Sequence, residues 1–315
     1  MHAIRKHHPL FGSEILKTMK TVNFGSLNLD HVYRLNAFVA PGETKACADY
    51  RVMAGGKGLN QSIAMAGAGM EVFHAGCIGP EGGLLTDTLK CRDVRTEYLQ
   101  TLQASTGHAI IQVDDSGENC ILLYGGTNGM FTEAYVGKVL SDFGERDIVV
   151  LQNETNLIPY IMRAAHRRGM RIAFNAAPIG PEVRSFPLEL VTWLFVNEIE
   201  GGFLSGETQP QAIAEALHRM YPGACVVLTL GADGCLCRMG NDTLRQDAFM
   251  VQAVDTTAAG DTFIGYFLCG VSEGMDVSHA LKFASAAGAL AVTAAGAANS
   301  IPARSQAEQF LQRHV

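Results

Sequence analysis

The 315-residue sequence has little positive charge and no long hydrophobic run. Its 24 Lys and Arg residues are outnumbered by 31 Asp and Glu residues, which gives a net charge of −7. Because nucleic-acid-binding domains normally carry a basic surface, we expect no nucleic-acid partner. The alanine-rich stretch at residues 284–298 is interrupted by Ser, Gly and Thr before it reaches the length of a membrane span. We therefore expect no membrane segment either.

The motifs of several common enzyme classes are also missing. The Gly-Lys pairs at residues 56–57 and 137–138 are not followed by Ser or Thr, so the sequence has no P-loop. No G-x-G-x-x-G follows the first predicted strand, which argues against a dinucleotide-dependent oxidoreductase. The zinc patterns H-E-x-x-H and C-x-x-C do not occur. The eight cysteines are scattered, which indicates reduced thiols in a cytoplasmic protein.

From residue 147 onward, predicted strands and helices alternate. Strands are expected at residues 148–152, 171–175, 193–196 and 225–230. Repeated β-α-β units with apolar strands predict an α/β domain with a mostly parallel sheet covered by helices on both faces. Two long helices, at about 260–272 and 277–294, are expected to complete it. Residues 1–18 are expected to form an N-terminal extension, with the domain itself at 19–315.

Extended segments at about residues 31–53 and 108–125 do not fit this alternation. The turn sequence DDSG at residues 114–117 lies between two extended stretches and predicts a hairpin. We expect these segments to form a small separate sheet that acts as a lid where the loops of the main sheet gather. Exposed strands of such a sheet are commonly buried against a symmetric copy, so a homodimer is expected.

The segment DTTAAGDTF at residues 255–263 is the most informative in the sequence. Small residues lead into a long apolar helical pattern, and the start of a helix directs backbone N–H groups and a positive dipole end at one point, where phosphate binds well. Asp261 is placed to accept a proton from a hydroxyl that arrives opposite the phosphate. Phosphoryl transfer to an alcohol requires this combination. The alternative interpretation is a glycine turn with a helix-capping Asp.

A second glycine-rich element, AGGKGLNQ, occupies residues 54–61. Glycines let a ligand approach the backbone closely, and Lys57 and Asn60 offer hydrogen-bond donors at the start of a helix. The alternative is a tight strand-to-helix turn with a surface lysine.

Together these elements resemble the two signatures of the ribokinase-like, or PfkB, family of carbohydrate kinases. The resemblance extends from about residue 19 onward. GSLNLD at residues 25–30 resembles the first sugar-binding loop, NEIE at 197–200 the N-x-x-E motif, and TLGADG at 229–234 the nucleotide-binding loop. One departure is AAGD at 258–261, where many relatives have GAGD. The resemblance, closest to the ribokinases, implies a three-layer α/β/α fold with a mostly parallel central sheet and a small β lid.

The resemblance also implies the roles of individual residues. Asp261 is expected to be the catalytic base, and the amides of Ala258, Ala259 and Gly260 to form an anion hole. The expected sugar-binding residues are Asn28, Asp30, Gly56, Lys57, Asn60, Glu154 and Asp261. The expected nucleotide-binding residues are Asn197, Thr229, Gly231, Gly234 and Asn299, with the region of Ser285 beside the adenine.

Positions along the chain support part of this assignment. Asn28 and Asp30 are placed at the carboxyl end of the first predicted strand, where ligands of open α/β sheets gather, and Glu154 follows a later strand in the same way. By resemblance, Asn197 and Glu200 are expected to organise magnesium through water. A monovalent cation, expected to be potassium, would be bound by residues of two neighbouring segments: Asp255, Thr257, Ala291, Ala294, Gly296 and Ser300.

The function implied is an ATP-dependent sugar kinase that phosphorylates a primary hydroxyl, with D-ribose as the expected substrate and ribose 5-phosphate as the product. Fructokinase, deoxyribokinase, 2-keto-3-deoxygluconate kinase and nucleoside kinase are alternatives from the same family. An alternative from another class is a non-catalytic sensor of sugar or nucleotide. The base Asp261 and the pair of Asn197 and Glu200 argue against a sensor, which needs neither of them.

Overall fold

The computed structural model describes residues 19–314, so the expected extension at residues 1–18 lies outside the described residues. The described chain forms two β-sheets and a set of α-helices. In chain order the strands are β1 (Lys20–Phe24), β2 (Asn28–Arg34), β3 (Asp49–Gly55), β4 (Glu71–Ile78), β5 (Arg95–Thr101), β6 (Gly107–Val113), β7 (Asn119–Tyr124), β8 (Ile148–Gln152), β9 (Arg171–Asn175), β10 (Trp193–Asn197), β11 (Cys225–Thr229), β12 (Cys235–Met239) and β13 (Asp242–Gln246). The helices are α1 (Lys57–Ala68), α2 (Gly83–Cys91), α3 (Glu133–Leu140), α4 (Ile158–His166), α5 (Glu198–Ser205), α6 (Pro210–Met220), α7 (Ala259–Ser272), α8 (Val277–Ala291) and α9 (Arg304–Arg313).

The larger sheet has nine strands in the order β13-β12-β11-β10-β9-β8-β1-β4-β5. Neighbouring strands from β5 to β11 pair in parallel, and β12 and β13 extend the sheet in antiparallel pairs. The central strands are apolar along nearly their whole length because both faces of the sheet are covered. The predicted mostly parallel sheet is confirmed.

Two apolar cores lie on opposite faces of this sheet. In β8 the side chains alternate between them, with Ile148 and Val150 in one core and Val149 and Leu151 in the other. Helices α1, α2, α7, α8 and α9 contribute to the first core, and α3 to α6 contribute to the second. The fold is therefore the expected three-layer α/β/α arrangement.

The smaller sheet has four strands in the order β3-β2-β6-β7. Strands β2 and β3 are antiparallel, β2 and β6 are parallel, and β6 and β7 form the hairpin predicted around residues 114–117. The side chains of β7 are exposed along its whole length, and β7 is an edge strand of this sheet.

Several elements differ from the sequence-based prediction. Strand β5 and helices α2 and α3 lie in segments for which no element was predicted, and α8 ends at Ala291 instead of residue 294. The two long helices α7 and α8 do not complete the fold, because α9 follows them. Helix α9 buries only Ala307 completely, and its other side chains are mostly polar. Its apolar periodicity is therefore too weak to reveal a helix.

Within residues 19–314, none of the helices is long and apolar enough to cross a membrane.

The turn that leads into α7 contains an unusual backbone conformation. Ala258, the residue before the helix, is left-handed, with φ 62° and ψ 6°. A side chain with a Cβ costs about 1–2 kcal/mol in this region, whereas glycine adopts it without steric strain. The strained backbone of Ala258 therefore lowers the free energy of unfolding.

We predict that Ala258→Gly raises the free energy of unfolding by about 1 kcal/mol, because it removes this strain. The same substitution at the neighbouring helical position, Ala259→Gly, is expected to lower it by about 0.5–1 kcal/mol, since glycine disfavours helix. Chemical denaturation of both variants measures the two effects. If the two substitutions changed the free energy of unfolding equally, the backbone of Ala258 would not be strained.

Candidate active site

A cavity of about 480 Å³ lies between the carboxyl ends of the main-sheet strands and one face of the small sheet. It brings together most of the residues singled out from the sequence, although these come from distant parts of the chain. Those that line it are Asn28, Asp30, Gly56, Lys57, Asn60, Glu154, Asn197, Glu200, Thr229, Thr257, Ala258, Gly260 and Asp261.

The glycine-rich turn between β3 and α1 packs directly against β1 and β2. A Cβ atom on Gly55 would lie 1.9 Å from Oδ2 of Asp30, and one on Gly58 would lie 2.3 Å from the backbone nitrogen of Ser26. A side chain at Gly58 would collide with backbone atoms, and one at Gly55 would displace the carboxylate of Asp30. The turn therefore needs glycine for close packing, and this packing carries Lys57 and Asn60 into the cavity.

Asn28 and Asp30 begin β2 and do not end β1, which stops at Phe24. Their alternate spacing on a strand points both side chains into the cavity, as predicted. Nδ2 of Asn128 donates to Oδ1 of Asn28 at 2.8 Å, so the side-chain N–H groups of Asn28 remain available as donors. Burial, together with the nearby charge of Glu154, raises the pKa of Asp30 to about 7.

Glu154 is held at the strand end by two donors. The hydroxyl of Ser26 and the backbone N–H of Lys57 both donate to its Oε2, the latter at 3.1 Å. Burial raises the pKa of Glu154. The pKa of Lys57 is raised because the negative charge of Asp261, and then those of Glu154 and Glu200, favour its ammonium form.

Asp261 lies in the first turn of α7 and is only 6% exposed. Its Oδ2 accepts a hydrogen bond from Nδ2 of Asn60 at 3.2 Å, and its Oδ1 accepts one from Nε2 of Gln61 at 2.9 Å. Oδ1 of Asn60 is buried and has no partner among the described residues. A buried acceptor without a donor is costly, so this atom is available for a hydroxyl of a ligand.

The backbone of the α7 turn faces the same cavity. The described residues offer no acceptor to the amides of Ala258 and Gly260, both of which line the cavity. The amide of Ala259 instead donates to the carbonyl of Thr256 at 3.3 Å, and Ala259 is not among the lining residues. Two of the three predicted anion-hole amides are therefore placed to bind an anion.

Asn197 and Glu200 form a capping box at the start of α5. The backbone N–H of Glu200 donates to Oδ1 of Asn197 at 2.9 Å, and the backbone N–H of Asn197 donates to Oε2 of Glu200 at 2.9 Å. Both side chains also line the cavity, and burial raises the pKa of Glu200. The pair therefore caps a helix and also presents a buried carboxylate to the cavity.

Oxygen atoms of this kind are the ligands that Mg²⁺ prefers, and Mg²⁺ often uses one or two carboxylates with water completing its shell. In residues 19–314 no group of three or more His, Cys, Asp and Glu side chains is arranged to hold a metal by itself. Asn197 and Glu200 consequently fit a magnesium ion that is bound mainly by water and phosphate oxygens.

The remaining predicted nucleotide residues are not among those that line the cavity. Gly231 and Gly234 belong to the turn after β11, and Asn299 is exposed in the segment between α8 and α9. Ser285, on α8, lies 4.0 Å from Cys235 of β12, measured from Oγ to Sγ.

The segments predicted to bind a monovalent cation meet at Asp255. Its Oδ1 accepts from the backbone N–H of Thr257 at 2.9 Å, and its Oδ2 accepts from that of Gly296 at 2.8 Å. Burial alone would raise the pKa of Asp255, but these hydrogen bonds outweigh it and lower the pKa. The hydroxyl of Ser300 donates to the carbonyl of Ala297 at 2.9 Å. Ala291 ends α8, and Ala294 donates to its carbonyl at 3.3 Å.

The apolar wall of the cavity was not predicted from the sequence. This wall comes from alternate residues of β6 and β7 and from the strand ends of the main sheet. Its members are Ala109, Ile111, Ile121, Leu123, Ala177 and Phe195, and the polar Asn175 lies among the same lining residues. These segments were predicted only as extended strands of a hairpin, and which of their faces meets the ligand depends on how the small sheet packs.

Comparison with known proteins identifies the family of this chain. The model of the pfkB family of carbohydrate kinases matches residues 19–304. Ribokinase from Haemophilus influenzae is 34% identical over 300 residues, which cover 91% of this chain and 97% of that protein. The crystal structure of ribokinase from Cryptococcus neoformans in complex with ADP superposes with a TM-score of 0.82 at 30% identity, covering 92% of this chain and 99% of that one.

Ribokinase from Arabidopsis thaliana, complexed with ribose and ATP, has a TM-score of 0.83 at 27% identity, with coverage of 94% and 99%. The sequence match and the shared fold agree with the resemblance found in the motifs. The chain belongs to the pfkB family of carbohydrate kinases.

Proposed function

We propose that this protein is an ATP-dependent sugar kinase that transfers the γ-phosphate to the primary hydroxyl of D-ribose and forms ribose 5-phosphate. One observation carries the proposal. The carboxylate of Asp261 faces the cavity at the start of α7, next to the available amides of Ala258 and Gly260. A base and an anion cradle therefore lie side by side, as phosphoryl transfer to an alcohol requires.

In the proposed reaction, Asp261 accepts the proton of the primary hydroxyl while the hydroxyl oxygen attacks the γ-phosphorus in line. The bond from the γ-phosphorus to the bridging oxygen breaks, and ADP leaves with that electron pair. The amides of Ala258 and Gly260, and by resemblance that of Ala259, stabilise the charge on the transferred phosphoryl group.

The polar groups of the cavity match a compact sugar with several hydroxyls. Asn28 offers donors, Asp30 and Glu154 offer acceptors, and the unpartnered Oδ1 of Asn60 offers one more. A sugar that lacks one hydroxyl would leave one of these buried groups unpaired, which costs affinity. This argument favours ribose over deoxyribose. Fructose, ketodeoxygluconate and nucleosides remain alternative substrates of the same site.

Magnesium and ATP belong to the same proposal. Solved ribokinases that resemble this chain were crystallised with ADP or with ribose and ATP, and the oxygen atoms of Asn197 and Glu200 fit Mg²⁺. Magnesium would supply charge neutralisation at the phosphates. Thr229, Gly231, Gly234 and Asn299 are proposed to contact the nucleotide. Potassium is proposed beside Asp255, where two backbone segments converge.

We also propose that two copies associate through the small sheet. Strand β7 is an exposed edge, and Leu122 and Tyr124 on its outward face are 68% and 54% exposed. Tyr50 and Val52 extend this apolar face on β3. An exposed apolar edge strand is normally covered in a stable protein, and a symmetric copy can cover it.

The eight free cysteines fit the reducing cytoplasm, where we propose that the enzyme works.

Asp261→Asn is expected to remain folded. It should lower kcat with ribose by about 10²-fold to 10⁴-fold, because the amide cannot accept the proton. Asp276 is a matched control, since it caps α8 by accepting from the backbone N–H of His279 at 2.9 Å. Asp276→Ala should cost about 1 kcal/mol of stability and leave kcat unchanged. Near-normal turnover in Asp261→Asn would refute the proposed base.

The same assay identifies the substrate. ATP turnover should be measured in magnesium and potassium with ribose, deoxyribose, fructose, ketodeoxygluconate and adenosine. The proposal expects the highest kcat/KM with ribose. If none of these compounds stimulates turnover, the result favours the sensor interpretation.

Sugar binding should depend on pH through Asp30. The raised pKa means that this carboxyl is neutral below about pH 7 and ionised above it. Only the ionised form accepts hydrogen bonds from hydroxyls at both oxygens. We therefore predict that KM for ribose falls several-fold between roughly pH 6 and pH 8, and that Asp30→Asn flattens this dependence. A KM that rises with pH would contradict the assigned role.

The dimer is tested by sedimentation at micromolar concentration. Leu122→Glu should dissociate it, because a charge would be buried in the proposed interface. Met250→Glu is the control, since Met250 is 89% exposed and lies outside the small sheet. A wild-type monomer, or a Leu122→Glu variant that remains dimeric, would exclude this interface.

A further inference from the structure

Behind Asp261, buried amides connect the cavity to the interior of the main sheet. Nε2 of Gln61 donates to Oδ1 of Asp261 at 2.9 Å, and Nε2 of Gln152 donates to Oε1 of Gln61 at 2.7 Å. Both glutamines are completely buried, and neither is among the residues that line the cavity. Gln61 therefore contacts the carboxylate from the protein side, and Gln152 contacts Gln61 from behind it.

A second branch of hydrogen bonds starts from the same atom of Gln152. Its Nε2 also donates to Oδ1 of Asn23 at 3.0 Å, and Nδ2 of Asn23 donates to Oγ of Ser62 at 2.9 Å. Oγ of Ser62 lies 2.8 Å from Nδ1 of His74. Nε2 of His74 lies 3.2 Å from the carbonyl oxygen of Gly25.

The two ends of this network fix the direction of every hydrogen bond in it. The carboxylate of Asp261 and the carbonyl of Gly25 can only accept. Burial lowers the pKa of His74 to about 4, so the ring is neutral and gives its single N–H to that carbonyl. Ser62 must then donate to Nδ1. A series of hydrogen bonds that has an acceptor at each end must contain one group that donates in both directions. The amide nitrogen of Gln152 is that group, because it donates to Gln61 and to Asn23.

This arrangement leaves Gln61 one orientation. If its amide turned over, its oxygen would face the carboxylate of Asp261 and its N–H₂ would face the N–H₂ of Gln152. We propose that Gln61 is a positioning residue that fixes the Asp261 carboxylate for proton transfer, and that Gln152 holds the Gln61 amide in its donating orientation. The inference rests on the proposed function, since it requires Asp261 to be the base.

The first test is Gln61→Met, which keeps the approximate length of the side chain and removes the donor. Hydrogen bonds to charged groups are the strong ones, so kcat should fall by about 10-fold to 100-fold. KM for ribose and for ATP should change by less than about twofold, because Gln61 touches neither substrate. An unchanged kcat in the folded variant would overturn the proposal.

The second test asks whether Gln152 acts through Gln61. Gln152→Met should lower kcat by about 3-fold to 10-fold. In the double variant, kcat should equal that of Gln61→Met alone, because the amide that Gln152 orients is already gone. Independent, multiplying losses of kcat would show that Gln152 acts in another way and would refute its assigned role.

Ser62→Ala is the matched control, because Ser62 is equally buried and lies on the branch that leads away from Asp261. It should lower Tm about as much as Gln152→Met does and leave kcat unchanged. Equal losses of kcat in the two variants would indicate general loosening and contradict the proposal. This comparison needs only single variants, so it decides the matter even if Gln61→Met fails to fold.

The outcome for Asp261→Asn separates this inference from the proposed function. If Asp261→Asn is inactive while Gln61→Met retains full kcat, only the positioning role is wrong. If Asp261→Asn keeps its turnover, the proposed base itself is wrong.

Discussion

Four carboxyl groups, those of Asp30, Glu154, Glu200 and Asp261, line one largely buried cavity that Lys57 shares with them. Burial raises the pKa values of Asp30, Glu154 and Glu200, because it disfavours the charged forms of these three groups. Such a cavity repels a polyphosphate unless positive charge is added. The start of α7 offers amides, and the oxygens of the α5 cap fit a magnesium ion. The acidic cavity thus explains why the proposed chemistry needs both a helix end and a metal.

The carboxyl groups reach this cavity because the backbone packs very closely around it. Where β3 passes into α1, Gly55 and Gly58 approach Asp30 and Ser26 at distances that admit no Cβ. The turn thereby places the amide of Lys57 against Glu154, which also accepts from Ser26. The proposed sugar-binding contacts and the structural contacts therefore involve the same few residues, and a change in the turn would disturb the packing and the proposed ligand site together.

Much of the fold could be predicted, because buried parallel strands are short apolar runs and the helices between them carry an apolar stripe. Strand β9 was predicted with its observed bounds, and the hairpin of β6 and β7 was recognised from its turn. The polar helix α9 was missed for the opposite reason, since it buries a single side chain completely. Asn28 and Asp30 were assigned to the wrong strand, yet alternation along β2 still points both into the cavity.

By itself, the sequence determined the chemical groups of the site, since glycine turns, a helix start and a following carboxylate are local patterns with local causes. Only the tertiary structure decided which groups meet. Asn60 and Gln61 reach Asp261 across 200 or more positions of the chain, and the apolar wall from β6 and β7 closes the cavity from a separate sheet. Gln61 and Gln152 look like ordinary polar residues in the sequence. Their importance comes from burial, because a buried amide has no water to pair with and must point its donors at the acceptors that the fold supplies.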